Sequence, residues 1–240
     1  MPTVLLVRHG RTTANTSGVL AGWTPGVRLD DHGEQQARAL AERMGPVPLA
    51  AIVSSPLERC QQTATALRSV PGPKHVARPE IVTEERLGEC RYGDWTGREL
   101  KTLTRDPLWK VVQEHPSAAV FPGPEGESMR AMQNRAVDAV RDWDARVAAE
   151  HGPDAVWVAV SHGDVIKAVL ADALGAHLDS FQRIVVSPSS VSVVTYTPTR
   201  PFVGRTNDVG ADLAALAPKP RRRRPNKALS SDAVVGGSAA

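Results

Sequence analysis

The sequence predicts an α/β fold, a three-layer sandwich in which helices cover both faces of a mostly parallel central sheet. Three short apolar runs rich in branched residues, at residues 4–7, 50–53 and 155–160, indicate its strands. Strands that are buried on both faces have this continuous hydrophobic character. Helical patterns follow the runs in alternation, which is the order that a parallel sheet requires.

The length and charge of the chain indicate one globular domain followed by a tail. The 240 residues suit a single α/β domain, which we place at residues 1–206. Ala, Pro, Arg, Ser and Gly dominate residues 207–240, a composition typical of a disordered segment. Six Lys and Arg against three Asp in this tail account for the whole net charge of +3. The domain itself is therefore neutral.

A run of arginines at residues 221–224 raises the alternative of a nucleic-acid-binding protein, because short basic runs bind phosphate backbones. The neutral domain and an aromatic content of only 4% argue against it. We expect no nucleic-acid partner, and we expect that the tail can be removed without loss of function.

The sequence also predicts a cytoplasmic protein with no membrane association. No apolar run approaches the roughly 18 residues that a membrane span needs. The first residues contain neither a basic segment nor a cleavage site, so we expect no secretory signal. Cys60 and Cys90 are too few for a disulfide scaffold and are expected to be reduced thiols that pack beside the site.

Two helix starts can be located from their capping residues. Residues 31–45 have helical periodicity, with Asp31 as the expected N-cap and Glu34 completing a capping box. A second helix is expected to start with Ser55 as its N-cap, which would place Arg59 in its first turn.

The remaining elements are a long helix at residues 127–151, a helix at 165–174 and a last strand at 191–196. Residues 98–126 are rich in Pro and Trp and do not form one regular pattern. We interpret them as a helical lid insertion, long enough to cover a site.

Basic side chains follow three of the predicted strands. Arg8 and His9 come directly after the first strand, Arg59 follows the second through a helix start, and His162 follows the third. Ligands of open α/β sheets bind beyond the carboxyl ends of the strands. Two guanidinium groups and two imidazoles at that edge indicate an anion site, and the planar fork of arginine suits phosphate.

Four ordered motifs carry a resemblance to the histidine phosphatase superfamily, the phosphoglycerate mutase-like fold. They are LVRHGRT at residues 6–12, SSPLERCQQT at 54–63, LGECRYGDWTG at 87–97 and SHGD at 161–164. The chain is also similar to a group of actinobacterial proteins labelled as phosphomutases.

The resemblance implies a role for each matched residue. His9 would be the nucleophile, and Glu89 would protonate the leaving oxygen and then activate water. The residues that would surround or contact the phosphorylated substrate are Arg8, Arg59, His162, Asn15, Thr12, Tyr92 and Gly163. An alternative for Glu89 is an ion pair with one of the arginines, whereas Glu84 and Glu85 are expected on a solvated stretch.

The expected activity is hydrolysis of a small phosphorylated metabolite through a phosphohistidine on His9. The cationic groups can replace the metal that many phosphatases use, so we expect no metal and no cofactor. A phosphomutase is the runner-up. Phosphoglycerate mutases of the family carry an adjacent arginine pair after the Glu motif, and residues 98–124 contain no such pair. A homodimer through an exposed sheet edge is common in the family.

Overall fold

The central feature of the computed structural model, which describes residues 1–210, is one six-stranded sheet with the order β3-β2-β4-β1-β5-β6. Its strands are β1 Thr3–Arg8, β2 Leu49–Ser54, β3 Ile81–Thr83, β4 Val156–Ser161, β5 Val191–Tyr196 and β6 Pro201–Asp208. The basic run at 221–224 and most of the predicted tail lie outside the described residues. Strand β6 continues past the predicted domain boundary at residue 206.

The sheet is mostly parallel, as predicted, but it ends in an antiparallel pair. Strands β1 to β4 pair with one another in parallel, whereas β5 is antiparallel to β1 and β6 is antiparallel to β5. Sequence analysis missed β6, because this exposed edge strand begins at Pro201 and contains Gly204 instead of a continuous apolar run.

The helices are α1 Thr13–Ser17, α2 Asp31–Met44, α3 Glu58–Ser69, α4 Leu100–Leu103, α5 Pro107–Glu114, α6 Met129–His151 and α7 Gly163–Ala173. Short 3₁₀ turns lie at Pro73–His75, Glu85–Leu87, Gly93–Trp95, Pro116–Ala118 and Leu178–Arg183.

Both predicted N-caps are wrong. Asp30, not Asp31, caps α2 by accepting a hydrogen bond from the Gly33 amide. Helix α3 begins only at Glu58, with Leu57 at the N-cap position. The Ser55 hydroxyl accepts from the Leu57 amide, ahead of the helix, and lies 2.8 Å from His162 Nε2. Helix α6 begins two positions later than predicted, with Ser128 as its N-cap, and α7 begins directly after His162.

Two hydrophobic clusters, one on each face of the sheet, hold the layers together. Val4 and Leu6 of β1 face the cluster formed with α6 and α7, and Leu5 and Val7 face the cluster formed with α2 and α3. Burying one such side chain contributes about 1.5–3 kcal/mol to stability. The alternation fixes the register of β1 and so places Arg8 and His9 at its end.

The insertion at residues 98–126 is packed helical structure. Its Leu103, Val112 and Phe121 are buried in the α6 and α7 cluster, and the Phe121 ring lies 5.0 Å from the Tyr92 ring. Trp95, which precedes the insertion, is fully buried in the same cluster and is a core residue. Within residues 1–210, no helix is both long and apolar enough to cross a bilayer.

Candidate active site

The carboxyl ends of three adjacent strands bring the predicted site residues together. Strand β4 pairs with both β1 and β2, so that Arg8 lies opposite Ser161. His9 and His162 follow these two strands, and their ring centroids are 5.3 Å apart. Arg8, His9, Arg59, Glu89 and His162 are all buried.

The tautomer of His9 is fixed by the backbone. Its Nδ1 lies 2.7 Å from the carbonyl oxygen of Gly10, and a carbonyl oxygen can only accept, so Nδ1 must carry the proton. Burial, and then the charges of Arg59 and Arg8, hold the pKa of His9 well below its usual value of 6.5. The ring is therefore neutral, and Nε2 has a free electron pair.

Two glycines allow the His9 loop to pack tightly on the first turn of α2. A Cβ atom on Gly10 would lie 2.5 Å from the carbonyl oxygen of Gly33, and one on Gly33 would lie 2.0 Å from that of Arg11. The Gly10 amide donates to the Thr63 hydroxyl at 3.1 Å. The loop that holds His9 is thus fixed from both α2 and α3.

The two guanidinium groups are held by backbone carbonyls. Arg8 Nη1 donates to Val186 at 2.7 Å, and Arg59 Nη2 donates to Gly22 at 2.9 Å. Within the described residues, Arg59 Nη1 is buried and makes no hydrogen bond. An unsatisfied buried donor is costly, so this atom is suited to an oxygen of an anionic ligand.

His162 orients the second guanidinium. Arg59 Nη2 lies 3.2 Å from His162 Nδ1, and arginine can only donate, so Nδ1 accepts and Nε2 carries the proton. Nε2 then donates to the Ser55 hydroxyl at 2.8 Å. Burial and the Arg59 charge lower the pKa of His162 well below 6.5, which agrees with a neutral ring.

Glu89 is a buried carboxyl with an unusual proton affinity. Burial, and next the charge of Asp164, raise the pKa of Glu89 to about 7, against the lowering effect of Arg59. Its Oε1 accepts from the Cys90 amide at 3.0 Å. Its Oε2 lies 3.7 Å from His162 Nδ1. A carboxyl that can be protonated near neutral pH is suited to acid–base chemistry.

The remaining predicted residues differ in their exposure to the site. A small cavity is lined by His9, Thr12, Asn15, Val19, Leu20, Ala21, Gly22, Arg59, Glu89 and Tyr92. Arg8, His162 and Gly163 are buried next to these residues and are not among those that line the cavity. The insertion at 98–126 likewise contributes no lining residue among those described.

Thr12 and Asn15 form the capping box of α1. The Thr12 amide and hydroxyl donate to Asn15 Oδ1 at 3.0 and 2.9 Å, which leaves the Asn15 amide nitrogen as the donor that can reach a ligand.

The expectation that Glu84 lies on a solvated stretch is wrong. Glu84 is partly buried and forms an ion pair with Arg86 at 3.0 Å. That pairing lowers the pKa of Glu84 to about 2.

Sequence reasoning missed several residues that support the site. Arg135 of α6 donates to the carbonyl oxygens of Arg86, Gly88 and Glu89 at 2.7, 2.9 and 3.0 Å. The others are Gly33, Ser55, Thr63 and Asp164. Of these residues, only Ser55 was given a structural role from sequence, as a helix cap. The contacts of the others join elements that are far apart in sequence.

The larger groove described on the surface does not combine buried histidine, arginine and glutamate side chains as the candidate site does. A groove of about 590 Å³ between α2 and α3 is lined by oppositely charged pairs and amides, including Arg38 and Glu34. Within residues 1–210, no three His, Cys, Asp or Glu side chains are placed to hold a metal ion together.

Comparison with known families gives the site its context. The sequence profile of the histidine phosphatase superfamily (branch 1) matches residues 4–209, nearly the whole described chain. The chain belongs to this superfamily. The family inferred from the four motifs is confirmed.

Relatives in the histidine phosphatase superfamily include proteins named for two reactions. The protein of Proteus mirabilis named "Probable phosphoglycerate mutase GpmB" is 31% identical over 196 residues, which cover 80% of this chain and 84% of that protein. "Phosphoserine phosphatase 1" of Hydrogenobacter thermophilus is 29% identical over 210 residues, 86% of this chain and 92% of that protein. These names agree with the predicted class, a phosphatase or phosphomutase.

Solved histidine phosphatase structures share the fold. Bacillus stearothermophilus YhfR has a TM-score of 0.74 at 27% identity and covers 87% of this chain and 98% of its own. A mycobacterial glucosyl-3-phosphoglycerate phosphatase complexed with VO3 has a TM-score of 0.72 at 25% identity, covering 85% and 98%. The predicted α/β fold with a mostly parallel sheet is therefore confirmed.

Proposed function

We propose that this histidine phosphatase hydrolyses a small phosphorylated metabolite by taking the phosphoryl group onto His9 and passing it to water. The observation that carries the proposal is the hydrogen bond from His9 Nδ1 to the Gly10 carbonyl. It leaves Nε2 as an unprotonated nucleophile in a cavity that also contains Arg59 and Glu89.

In the first step, the Nε2 electron pair attacks phosphorus as the bond from phosphorus to the ester oxygen breaks. Protonated Glu89 gives its proton to the leaving oxygen, so the alcohol departs neutral. The raised pKa of Glu89 supports this role, because an ordinary carboxyl would be ionised at neutral pH.

In the second step, water attacks phosphorus as the bond to Nε2 breaks. Ionised Glu89 takes a proton from this water, which returns both residues to their starting states and releases inorganic phosphate. The same side chain serves as acid and then as base.

The charge of the transferred group is stabilised by fixed donors. Arg59 Nη1 is a buried donor without a hydrogen-bond partner among the described residues, and Asn15 lines the same cavity. Arg8 and His162 are proposed to surround the phosphoryl oxygens together with Arg59, and His162 also orients Arg59. Tyr92 shapes the cavity beside the leaving group, and Gly163 begins α7 behind it. Such preorganised donors are a large part of phosphoryl-transfer catalysis.

Trapping the intermediate tests this proposal. We expect quenching in alkaline detergent during turnover of a radiolabelled phosphomonoester to leave label on the wild type that is stable to base and labile to acid, as a phosphorus–nitrogen bond requires. His9→Ala should retain none. His151→Ala, at the exposed end of α6, is the matched control and should label normally. Equal labelling of His9→Ala would overturn the proposal.

The main alternative concerns the molecule that accepts the phosphoryl group from His9. The 31% identity to proteins named as phosphoglycerate mutases favours transfer to a second oxygen of the same metabolite as the other candidate. Water is the acceptor we propose, because no adjacent arginine pair occurs in residues 98–124. A homodimer and a cytoplasmic location remain predictions, the latter in keeping with the free thiols of Cys60 and Cys90.

A further inference from the structure

A buried chain of polar groups links the cavity wall to α7. The Tyr92 hydroxyl donates to Asp164 Oδ2 at 2.8 Å, and Asp164 Oδ1 lies 3.6 Å from Lys167 Nζ. Asp164 is fully buried, and Lys167 is 4% exposed. Lys167 is held in turn by Gln182, at 3.2 Å.

Burying the charges of Asp164 and Lys167 costs free energy of folding. Buried charges are rare unless they are paired, and a purely apolar α7 would pack against the sheet as well. The other inward residues of this helix are Val165, Ile166, Ala168, Val169, Leu170 and Ala171. The charged pair at Asp164 and Lys167 therefore interrupts an otherwise apolar buried face of α7, at the end of the helix nearest the site.

We propose that Asp164 is a positioning residue of the acid–base step, which fixes Tyr92 in the cavity wall and places a buried negative charge beside Glu89. This inference rests on the proposed function of Glu89. It gives a role to Asp164 and Lys167, which take no part in the two proposed reaction steps.

The electrostatic environment of Glu89 agrees with this assignment. After burial, the charge of Asp164 is the largest influence that raises the pKa of Glu89. The charged and titratable groups around Glu89 are Arg8 of β1, Arg59 and Cys60 of α3, Cys90, Tyr92, Arg135 of α6, His162, and Asp164 and Lys167 of α7. Arg59 and Arg8 favour an ionised Glu89, and Asp164 opposes them.

Two charge changes on α7 give opposite expectations. Asp164→Asn keeps an oxygen that accepts from Tyr92 but removes the negative charge, so the pKa of Glu89 should fall by about one pH unit. Lys167→Met removes the positive charge and leaves that of Asp164, so the pKa of Glu89 should rise. A merely structural role of the pair would move both variants in one direction.

The measurement is a carbon NMR titration of the full chain labelled at the Glu side-chain carboxyl, with the Glu89 signal assigned by its loss in Glu89→Gln. It requires no turnover, so its failure is distinguishable from failure of the proposed phosphatase activity. Asp172→Asn, on the same helix but paired with Arg141 at the surface, is the control and should not shift the signal.

The kinetic consequence is measured on an alkyl phosphate, whose leaving oxygen needs a proton. The alkaline limb of kcat/KM should move to lower pH in Asp164→Asn and to higher pH in Lys167→Met. An unchanged Glu89 titration in both folded variants, or shifts of the same sign, would overturn the proposal. If Asp164→Asn does not fold, the direction found with Lys167→Met still decides.

Discussion

Arg135 of α6 donates from Nη2 to the backbone carbonyl of Glu89 at 3.0 Å, while its Nη1 bonds two carbonyls earlier in the same segment. The guanidinium is held in turn by Glu127, 2.6 Å away. One side chain of α6 thus holds the backbone of the segment that carries Glu89, the proposed acid.

Replacing Arg135 by Met is expected to reduce kcat by about 10-fold or more, because small displacements of a reacting group lose much of the rate. Arg130→Met, at an exposed position of the same helix, is the matched control and should leave kcat unchanged. Steady-state kinetics with an alkyl phosphate measure both. Wild-type kcat in a folded Arg135→Met would show that Glu89 keeps its position without this contact.

The pH dependence should follow from the two opposed protonation states. The reaction requires neutral His9, whose pKa lies well below 6.5, and protonated Glu89, whose pKa is about 7. With an alkyl phosphate, kcat/KM should therefore decline as pH rises above about 7 and also at strongly acidic pH. Rising activity between pH 7 and pH 9 would contradict these assignments.

Glu89→Gln should separate substrates by their leaving groups. An alkyl phosphate loses the proton that its leaving oxygen needs, so its rate of phosphoenzyme formation should fall about 100-fold or more. An aryl phosphate with a stable phenolate should lose much less in this step. Rapid-quench measurement of the first turnover gives both rates, with Glu85→Gln, an exposed neighbour, as control. Equal losses would exclude the acid role.

Removal of residues 211–240 should leave turnover unchanged. The described cavity is lined by residues 9 to 92, and all residues given a role in the reaction lie before residue 168. A chain that ends at residue 210 is compared with the full chain in kcat/KM for the same phosphomonoester. A large loss would give the basic tail a part in the reaction.

Local patterns were sufficient to predict the strand ends and the groups that follow them. Residues 4–7 are apolar on both faces of β1, and that burial alone places Arg8 and His9 at the carboxyl edge of the sheet. Strand β6 could not be found in this way, because an edge strand exposed to solvent has no such apolar run.

The supporting contacts depend on tertiary structure and leave no local pattern. Ser55 resembles a helix cap in sequence, yet its hydroxyl accepts from His162, more than a hundred positions away. Asp164 meets Tyr92 across 72 positions of the chain. A helix cap is a contact between near neighbours in sequence. The Ser55–His162 and Tyr92–Asp164 contacts depend instead on how strands β2 and β4 and the Glu89 segment pack together.

Hydrolysis of p-nitrophenyl phosphate in EDTA, by the wild type, His9→Ala and the His151→Ala control, tests the account most directly. We expect turnover by the wild type and the control in the absence of free metal, and a loss of at least about 1000-fold in His9→Ala. Activity that disappears in EDTA and returns with magnesium or zinc, or that persists in His9→Ala, would contradict a metal-independent phosphohistidine route.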